Sequence, residues 1–419
     1  MNHSDLDLSF EPTLEQIERA REIVARTTRI TPMESAKFLR QYTGSPVYLK
    51  CENTQRTGSY KLRGATYRLS QLSAEERERG VVAASAGNHA QGVAFAAAEL
   101  GIPATIYMPI GVPIPKLEAT RNYGAEVVLH GYNVGESLAG AKEFAERTGA
   151  TFIHPYDHPD IITGQATLGL DILEQVPEVE TVLVPIGGGG LAAGVSTLLK
   201  LKAAELGREI RVIGVQSAAT APFNPSLEAG HPVKIDAHPT IADGIAVDVP
   251  GDLTFELVRK HVDEIIEVTD ADISRAILLL LERAKLVVEP AGATGVAAML
   301  AGKIQDAGVT VTVLSGGNID PMMLEKVIAQ GLTASDRYMR ITIGLHDVPG
   351  HLARISTILA DINANVIEVL HTRHNKGLQI TQVELEISVE TRGTEHAALV
   401  LDALRAAGYE PRVDRYATV

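Results

Sequence analysis

A chain of 419 residues exceeds the size at which single hydrophobic cores stop growing, so two or three domains are expected. With 45% hydrophobic and 21% charged residues it has the make-up of a soluble globular protein, and a run such as "AILLLL" (Ala276 to Leu281) is far too short to span a bilayer, so no membrane partner is expected. A net charge of −14 without any Lys/Arg cluster, 4% aromatic residues and no Trp argue against nucleic acid, which needs clustered cations and stacking platforms.

The opening "MNHSDLDLSFEP" has neither a cationic flank nor an apolar core, so no signal peptide and a cytoplasmic location are expected. The one cysteine, Cys51, cannot form an internal disulfide and fits a reducing compartment; without a Cys/His grouping at metal-ligand spacing it reads as a packed thiol. Next comes "TGSYKLRGA", Thr57 to Ala65, which sets a lysine between a Gly-Ser turn and the start of a helix. Lys61 is either a solvated helix residue or an amine held in a cavity for covalent chemistry.

From about Val81, short Val/Ile-rich runs alternate with Ala/Leu/Glu-rich helical patterns: "GVVAAS" with "NHAQGVAFAAAEL", "ATIYMP" with "PKLEATRNYG", "AEVVLH" with "ESLAGAKEFAERTG", "TVLVPI" with "LAAGVSTLLKLKAAEL". Continuous apolar strands between helices predict an α/β body of open, mostly parallel sheet covered on both faces, in two lobes. Its first strand-to-helix loop is "SAGNHAQG", Ser85 to Gly92, whose amides can hold a carboxylate while the Asn88 side chain donates to an oxygen on an aromatic ring; a simple helix cap is the alternative. His89 reads as a packing residue on that helix, because no Asp or Ser stands at a spacing that recommends a triad. In "PIGGGGLAAG", Pro185 to Gly194, an apolar strand ends, four glycines follow and a helix begins. Unobstructed amides at a helix N-terminus suit a dianion such as a phosphate, against the alternative of a flexible turn. A dinucleotide is disfavoured, since the next strand "RVIGVQS" ends in Gln216 and Ser217 rather than a ribose-binding carboxylate. A mainly helical run from Leu253 to Lys303 is followed by "VTVTVLSGG", where Ser315 closes the last strand, and by "PMMLEKVIAQ".

After Gln330 the polar "GLTASDR" reads as a linker. Beyond it, "MRITIGLHD", "PGHLARISTILADIN", "NVIEVLHTRHN" and "LQITQVELEISVE" about a "KG" turn, "EHAALVLDALRAAG" and "YEPRVDRY" give the order βαββαβ, a ferredoxin-like module of about eighty residues.

Taken together and in this order, the loops closely resemble those of the fold-type II pyridoxal-phosphate enzymes, and within them the threonine/serine dehydratase (ammonia-lyase) family. The matching segments are "TGSYKLRGA", "SAGNHAQG", "PIGGGGLAAG", "DGIAV" (Asp243 to Val247), "VVEPAGA" (Val287 to Ala293) and "SGGNID" (Ser315 to Asp320), covering about residues 15 to 330. The C-terminal module resembles an ACT domain, a small-molecule sensor attached to amino-acid enzymes. The resemblance implies a catalytic domain over 1–330 whose smaller lobe, about 50–155, is inserted in the larger, a linker over 331–338, and an ACT regulatory domain over 339–419.

The resemblance assigns Lys61 the Schiff base to pyridoxal 5'-phosphate, Gly187, Gly188, Gly189, Gly190 and Leu191 the phosphate, Asn88 the ring hydroxyl and Ser315 the pyridine nitrogen. Ser85, Ala86, Gly87, Asn88 and His89 form the substrate-carboxylate loop, while Gly244 and Glu289 line the far side of the cofactor. A neutral serine cannot protonate the ring nitrogen as an aspartate would, so the ring is a weaker electron sink and prompt loss of a β-hydroxyl is favoured. The activity implied is conversion of threonine to 2-oxobutanoate and ammonia, and of serine to pyruvate. Serine racemase is the closest rival, but such racemases carry a serine two residues before the loop asparagine, where this chain has Ala86. Their metal site begins with a glutamate where this chain has Gln216, so no strong metal site is expected. A β-hydroxyaspartate ammonia-lyase and a non-catalytic amino-acid-binding regulator are the other readings.

For the sensor, the resemblance points to Asp347 and the amides of Gly350, His351 and Leu352, with Asn365 reaching the ligand from a paired copy. The effector expected is isoleucine or valine, in a homo-oligomer, dimer or tetramer; a purely structural dimerisation module is the alternative. His346, His351, His371 and His374 lack the spacing of a metal-ligand set.

Overall fold

Strands form where aliphatic and β-branched residues run between Gly- and Pro-bounded turns. The computed structural model describes residues 7–373 and 381–413. In chain order its strands are β1 (Met33–Ser35), β2 (Val47–Lys50), β3 (Val81–Ala84), β4 (Ala104–Met108), β5 (Glu126–Leu129), β6 (Thr151–Phe152), β7 (Thr181–Pro185), β8 (Arg211–Ser217), β9 (Glu264–Val268), β10 (Thr310–Val313), β11 (Tyr338–His346), β12 (Asn365–Thr372), β13 (Gln382–Glu390) and β14 (Pro411–Val413). The expected "KG" turn, His374 and the end of "YEPRVDRY" lie outside the described residues. The chain divides after Leu324 into two compact units.

The first unit holds two sheets. The larger has the order β1-β2-β10-β7-β8-β9, parallel except for β1 against β2. The smaller, β5-β4-β3-β6, is wholly parallel. Every residue of β3, β7 and β10 is buried, as strands covered by helices on both faces require. Val182, Val184, Val212, Val311 and Val313 pack with Ile172 and Leu199 under the larger sheet, and Val81, Ala83 and Ile106 with Leu62, Leu69 and Val93 under the smaller. Cys51 is a packed thiol, fully buried, its Sγ 3.4 Å from the Leu49 carbonyl and its pKa pushed up to about 12 by burial.

The second unit has the predicted βαββαβ order, with helices His351–Asp361 and Thr394–Ala406. Its antiparallel sheet runs β12-β13-β11-β14, the ferredoxin-like arrangement, over a core of Ile341, Ile343, Leu385, Ile387, Ile355, Leu359 and Val400.

Two segments differ from the sequence reading. The run read as mainly helical from Leu253 contains β9, "EIIEV", whose alternating burial marks a half-covered edge strand parallel to β8. The stretch read as a linker from Gly331 begins inside a helix, Pro321–Ala334. Gly331 is buried there, its carbonyl accepts from Ser335 N at 3.1 Å, and Thr333 Oγ1 donates to Ala329 O at 3.0 Å. The helical hydrogen bonds thus continue through Gly331, although a helical glycine costs about 1 kcal/mol.

Candidate active site

In open α/β sheets ligands collect beyond the carboxyl ends of parallel strands. Four loops reach that position: the segment carrying Lys61 after β2, Ser85 to His89 after β3, Ile186 to Gly189 after β7, and Leu314 to Asn318 after β10. They close around an open cavity of about 280 Å³. Lys61, Ser85, Ala86, Gly87, Asn88, His89, Gly187, Gly188, Gly189, Gly190, Leu191, Gly244, Glu289 and Ser315 all line it.

Lys61 opens the helix Lys61–Ser70. Two residues on, the Arg63 guanidinium is buried and forks onto Glu52, with Nε to Oε2 and Nη2 to Oε1 both at 2.9 Å, while Nη2 also donates to Asp171 at 2.6 Å. That charge-assisted network fixes the first turn of the helix against the turn that follows β2 and against the helix Pro159–Gln175. Lys61 Nζ faces the cavity and donates to the Pro155 carbonyl at 2.8 Å. Burial pushes its pKa down to about 8, against the pull of the Glu289 carboxylate.

The glycine run ends at the N-terminus of the helix Gly190–Leu206. First-turn amides have no intrahelical acceptor, so bare backbone donors line the cavity here. Side chains are sterically excluded. A Cβ on Gly188 would lie 2.4 Å from the Tyr156 ring and one on Gly187 2.8 Å from Ile245 Cα, while Gly189 has φ +98°. This cradle of unobstructed amides fits a phosphate.

On the other side of the cavity, Asn88 Nδ2 donates to Glu289 Oε1 at 2.6 Å, and Asn88 Oδ1 accepts from Asn318 Nδ2 at 2.8 Å. Glu289 is only 5% exposed, and burial, with the Asp243 carboxylate, raises its carboxyl to about 7 despite Asn88, Lys116 and Lys61. Ser315 is buried, and its carbonyl accepts from Tyr60 N at 3.0 Å, stitching the Lys61 loop to the end of β10. His89 is a buried neutral ring: Nε2 lies 3.0 Å from the Ile153 carbonyl, and burial with the nearby Lys61 pushes its pKa down to about 3. Its imidazole is thus committed to packing, leaving its backbone at the loop.

Residues without a role in the sequence reading also line the cavity. Tyr60 and Pro155 flank Lys61, Tyr156 covers the glycine run, and Lys116 Nζ pairs with Asp243 Oδ2 at 2.9 Å. Among the described residues no cluster of three or more His, Cys, Asp or Glu stands in metal-binding geometry. Gln216 is buried; its Oε1 accepts from Phe223 N at 3.2 Å and its Nε2 has no partner among the described residues. No helix among the described residues is long and apolar enough to cross a membrane.

In the second unit, Asp347, Gly350, His351 and Leu352 lie together at the turn from β11 into the helix His351–Asp361. Asp347 is exposed and pairs with Arg373 at 3.3 Å, Gly350 has φ +104°, His351 Nδ1 is 3.2 Å from the Tyr409 hydroxyl, and Leu352 is exposed. Asn365 opens β12 and donates to Glu390 at 3.4 Å.

The chain resembles an L-threonine ammonia-lyase of Thermotoga maritima, 46% identical over 96% of this chain and 99% of that protein, and one of Geobacter sulfurreducens, 45% identical over 94% and 97%. Among solved structures it resembles a threonine deaminase isoform of Solanum lycopersicum (TM-score 0.70, 36% identical, 76% of this chain and 94% of that one). It also resembles maize serine racemase (TM-score 0.71, 34% identical, 77% and 99%). A family model described as "pyridoxal-phosphate dependent enzyme" matches residues 24–316. With a lysine amine, a bare amide cradle and a buried Asn/Glu pair in one cavity, the chain belongs to the family of pyridoxal-phosphate-dependent enzymes.

Proposed function

We propose that the protein is a threonine ammonia-lyase that converts L-threonine to 2-oxobutanoate and ammonia, and L-serine to pyruvate and ammonia. The observation that carries the reading is the Lys61 amine, buried enough to be partly neutral near pH 7, in the same cavity as the amide cradle at Gly187 to Leu191. Pyridoxal phosphate, when bound, supplies the electron sink that makes a substrate α-proton acidic.

Lys61 would hold the cofactor covalently, the amides of Gly187 to Leu191 its phosphate, Asn88 Nδ2 its ring oxygen and Ser315 its ring nitrogen, with Gly244 and Glu289 beside them. The loop Ser85 to His89 at a helix N-terminus binds the substrate carboxylate through its amides. The Lys61 amine, when free, would take the α-proton as a general base, and the proton it then holds would leave with the β-hydroxyl as water. The unsaturated amine set free hydrolyses to the 2-oxo acid and ammonia.

Two observations bear on rival substrates and reactions. Ala86 offers a methyl group to the cavity, which cannot return a proton to the α-carbon as a racemase requires. Lys116 is already paired with Asp243, so a second substrate carboxylate would have to displace that partner, which favours threonine and serine over β-hydroxyaspartate. A non-catalytic regulator would have no need of the buried amine.

Residues 339–419 are proposed to act as an ACT-type sensor of isoleucine or valine, bound at Asp347, Gly350, His351 and Leu352 with Asn365 from a paired copy in a dimer or tetramer. Its ferredoxin-like order and the left-handed Gly350 turn support that reading. Residues 1–330 then form the catalytic domain. Steady-state rates on L-threonine, L-serine and β-hydroxyaspartate, with and without isoleucine or valine, test the proposal. Oxo acid from threonine and serine, with a rate that responds to the effector, is expected; failure of all three substrates would overturn the lyase reading, and indifference to both amino acids the sensor.

A further inference from the structure

We infer that Asn318 is a positioning residue that fixes which way the Asn88 amide faces, and thereby aims the Asn88 donor into the cavity. A side-chain amide is nearly symmetric in shape, so its orientation is decided by what its neighbours can donate or accept.

Here the deciding group is a backbone carbonyl. The Thr57 oxygen can only accept, and Asn318 Nδ2 donates to it at 2.8 Å. That contact places the NH₂ of Asn318, not its oxygen, between Thr57 and Asn88. Its second hydrogen goes to Asn88 Oδ1, also at 2.8 Å, with Gln91 Oε1 at the margin, 3.5 Å away. Asn88 must therefore turn its oxygen to Asn318 and its NH₂ to Glu289 Oε1 and the cavity. The order of donation runs from Asn318 to Thr57 on one side, and from Asn318 through Asn88 to Glu289 on the other.

The site is built to keep Asn318 in place. Gly58 adopts φ +73°, and a Cβ there would lie 2.3 Å from Asn318 Oδ1. Gly317 N donates to Gly58 O at 2.9 Å, and Ser59 and Gly316 form a β-bridge. One side chain thus joins the segment leading to Lys61, the Asn88 loop and the Ser315 loop.

The inference rests on the proposal that Asn88 bonds the cofactor ring oxygen. Asn318→Asp keeps the shape but cannot donate, so Asn88 is expected to turn over and present its oxygen to the cavity. Apoprotein is titrated with pyridoxal phosphate, with Kd, the visible absorbance of the bound cofactor and the thermal stability of the apoprotein read for the native protein, Asn318→Asp, Asn88→Ala and the double variant. Asn318→Ala serves if the aspartate variant does not fold. The expected result is a roughly tenfold weaker Kd and an absorbance shift in the same direction as in Asn88→Ala, with the double variant no weaker than Asn88→Ala alone. If Asn88→Ala changes Kd and absorbance while both Asn318 variants are native-like, the inference fails and the role of Asn88 stands. Additive losses in the double variant also overturn it, because Asn318 then acts independently of Asn88. If Asn88→Ala is itself without effect, the role of Asn88 falls and the inference with it.

Discussion

Glu289→Gln isolates the electrostatic design of the site. The carboxyl is buried with its Oε1 accepting from Asn88, and its pKa rises from the ordinary 4.5 to about 7, through burial first and the Asp243 carboxylate second. A carboxyl that holds its proton more tightly folded than unfolded binds more protons in the native state between those two values, so stability falls as pH rises through that window. Below the unfolded value there is no penalty; above about 7 it is complete, on the order of 3 kcal/mol. Glutamine keeps the acceptor for Asn88 and never ionises. The apo variant is therefore expected to exceed the native apoprotein by less than about 1 kcal/mol at about pH 5 and by about 3 kcal/mol at about pH 8, a Tm difference that grows to a few degrees. Loss of the carboxylate also removes the group that supports the charged form of Lys61, so the amine's pKa should fall further. Thermal unfolding of both apoproteins across that range is the assay. Curves that stay parallel from pH 5 to 8 would mean that the Glu289 carboxyl carries no such penalty.

Capture of pyridoxal phosphate by the apoprotein should accelerate with pH about a midpoint near 8, where half the Lys61 amine is neutral, and a midpoint at an ordinary lysine value above 10 would contradict its burial. Gly188→Ala, whose Cβ would press on the Tyr156 ring at 2.4 Å, should weaken cofactor affinity at least about tenfold. Native Kd in that variant would count against the cradle. Ala86→Ser restores a hydroxyl to the cavity and should yield measurable D-serine from L-serine, followed by chiral chromatography; a variant that makes none would remove Ala86 as the reason for one-sided chemistry.

Sequence made the backbone chemistry of the site legible and left much of its side-chain setting hidden. Four glycines between a strand and a helix have few other uses, and a lysine just past a Gly-Ser turn can be read in place. Lys116 and Asp243 carry no such mark. They stand 127 residues apart and meet only because the two sheets bring their surroundings to one cavity, and within "PKLEATRNYG" Lys116 looks like any solvated helix cation. Tyr156 lies in a loop without periodicity, and Asn318 acquires meaning only through Thr57, 261 residues away. The strand β9 is hard to see in the sequence because its short "EIIEV" sits between two longer helices. The helix Pro321–Ala334 outran its expected end because its hydrogen bonds continue through Gly331, against the local preference of "GLTA".

The role of Lys61 is tested by 2-oxobutanoate and ammonia release from L-threonine by the native protein and by Lys61→Ala, both saturated with pyridoxal phosphate. Equal amounts of the two products are expected from the native protein and a loss of at least about a thousandfold in the variant, since covalent attachment and the base are removed together. Normal turnover by Lys61→Ala would contradict that role.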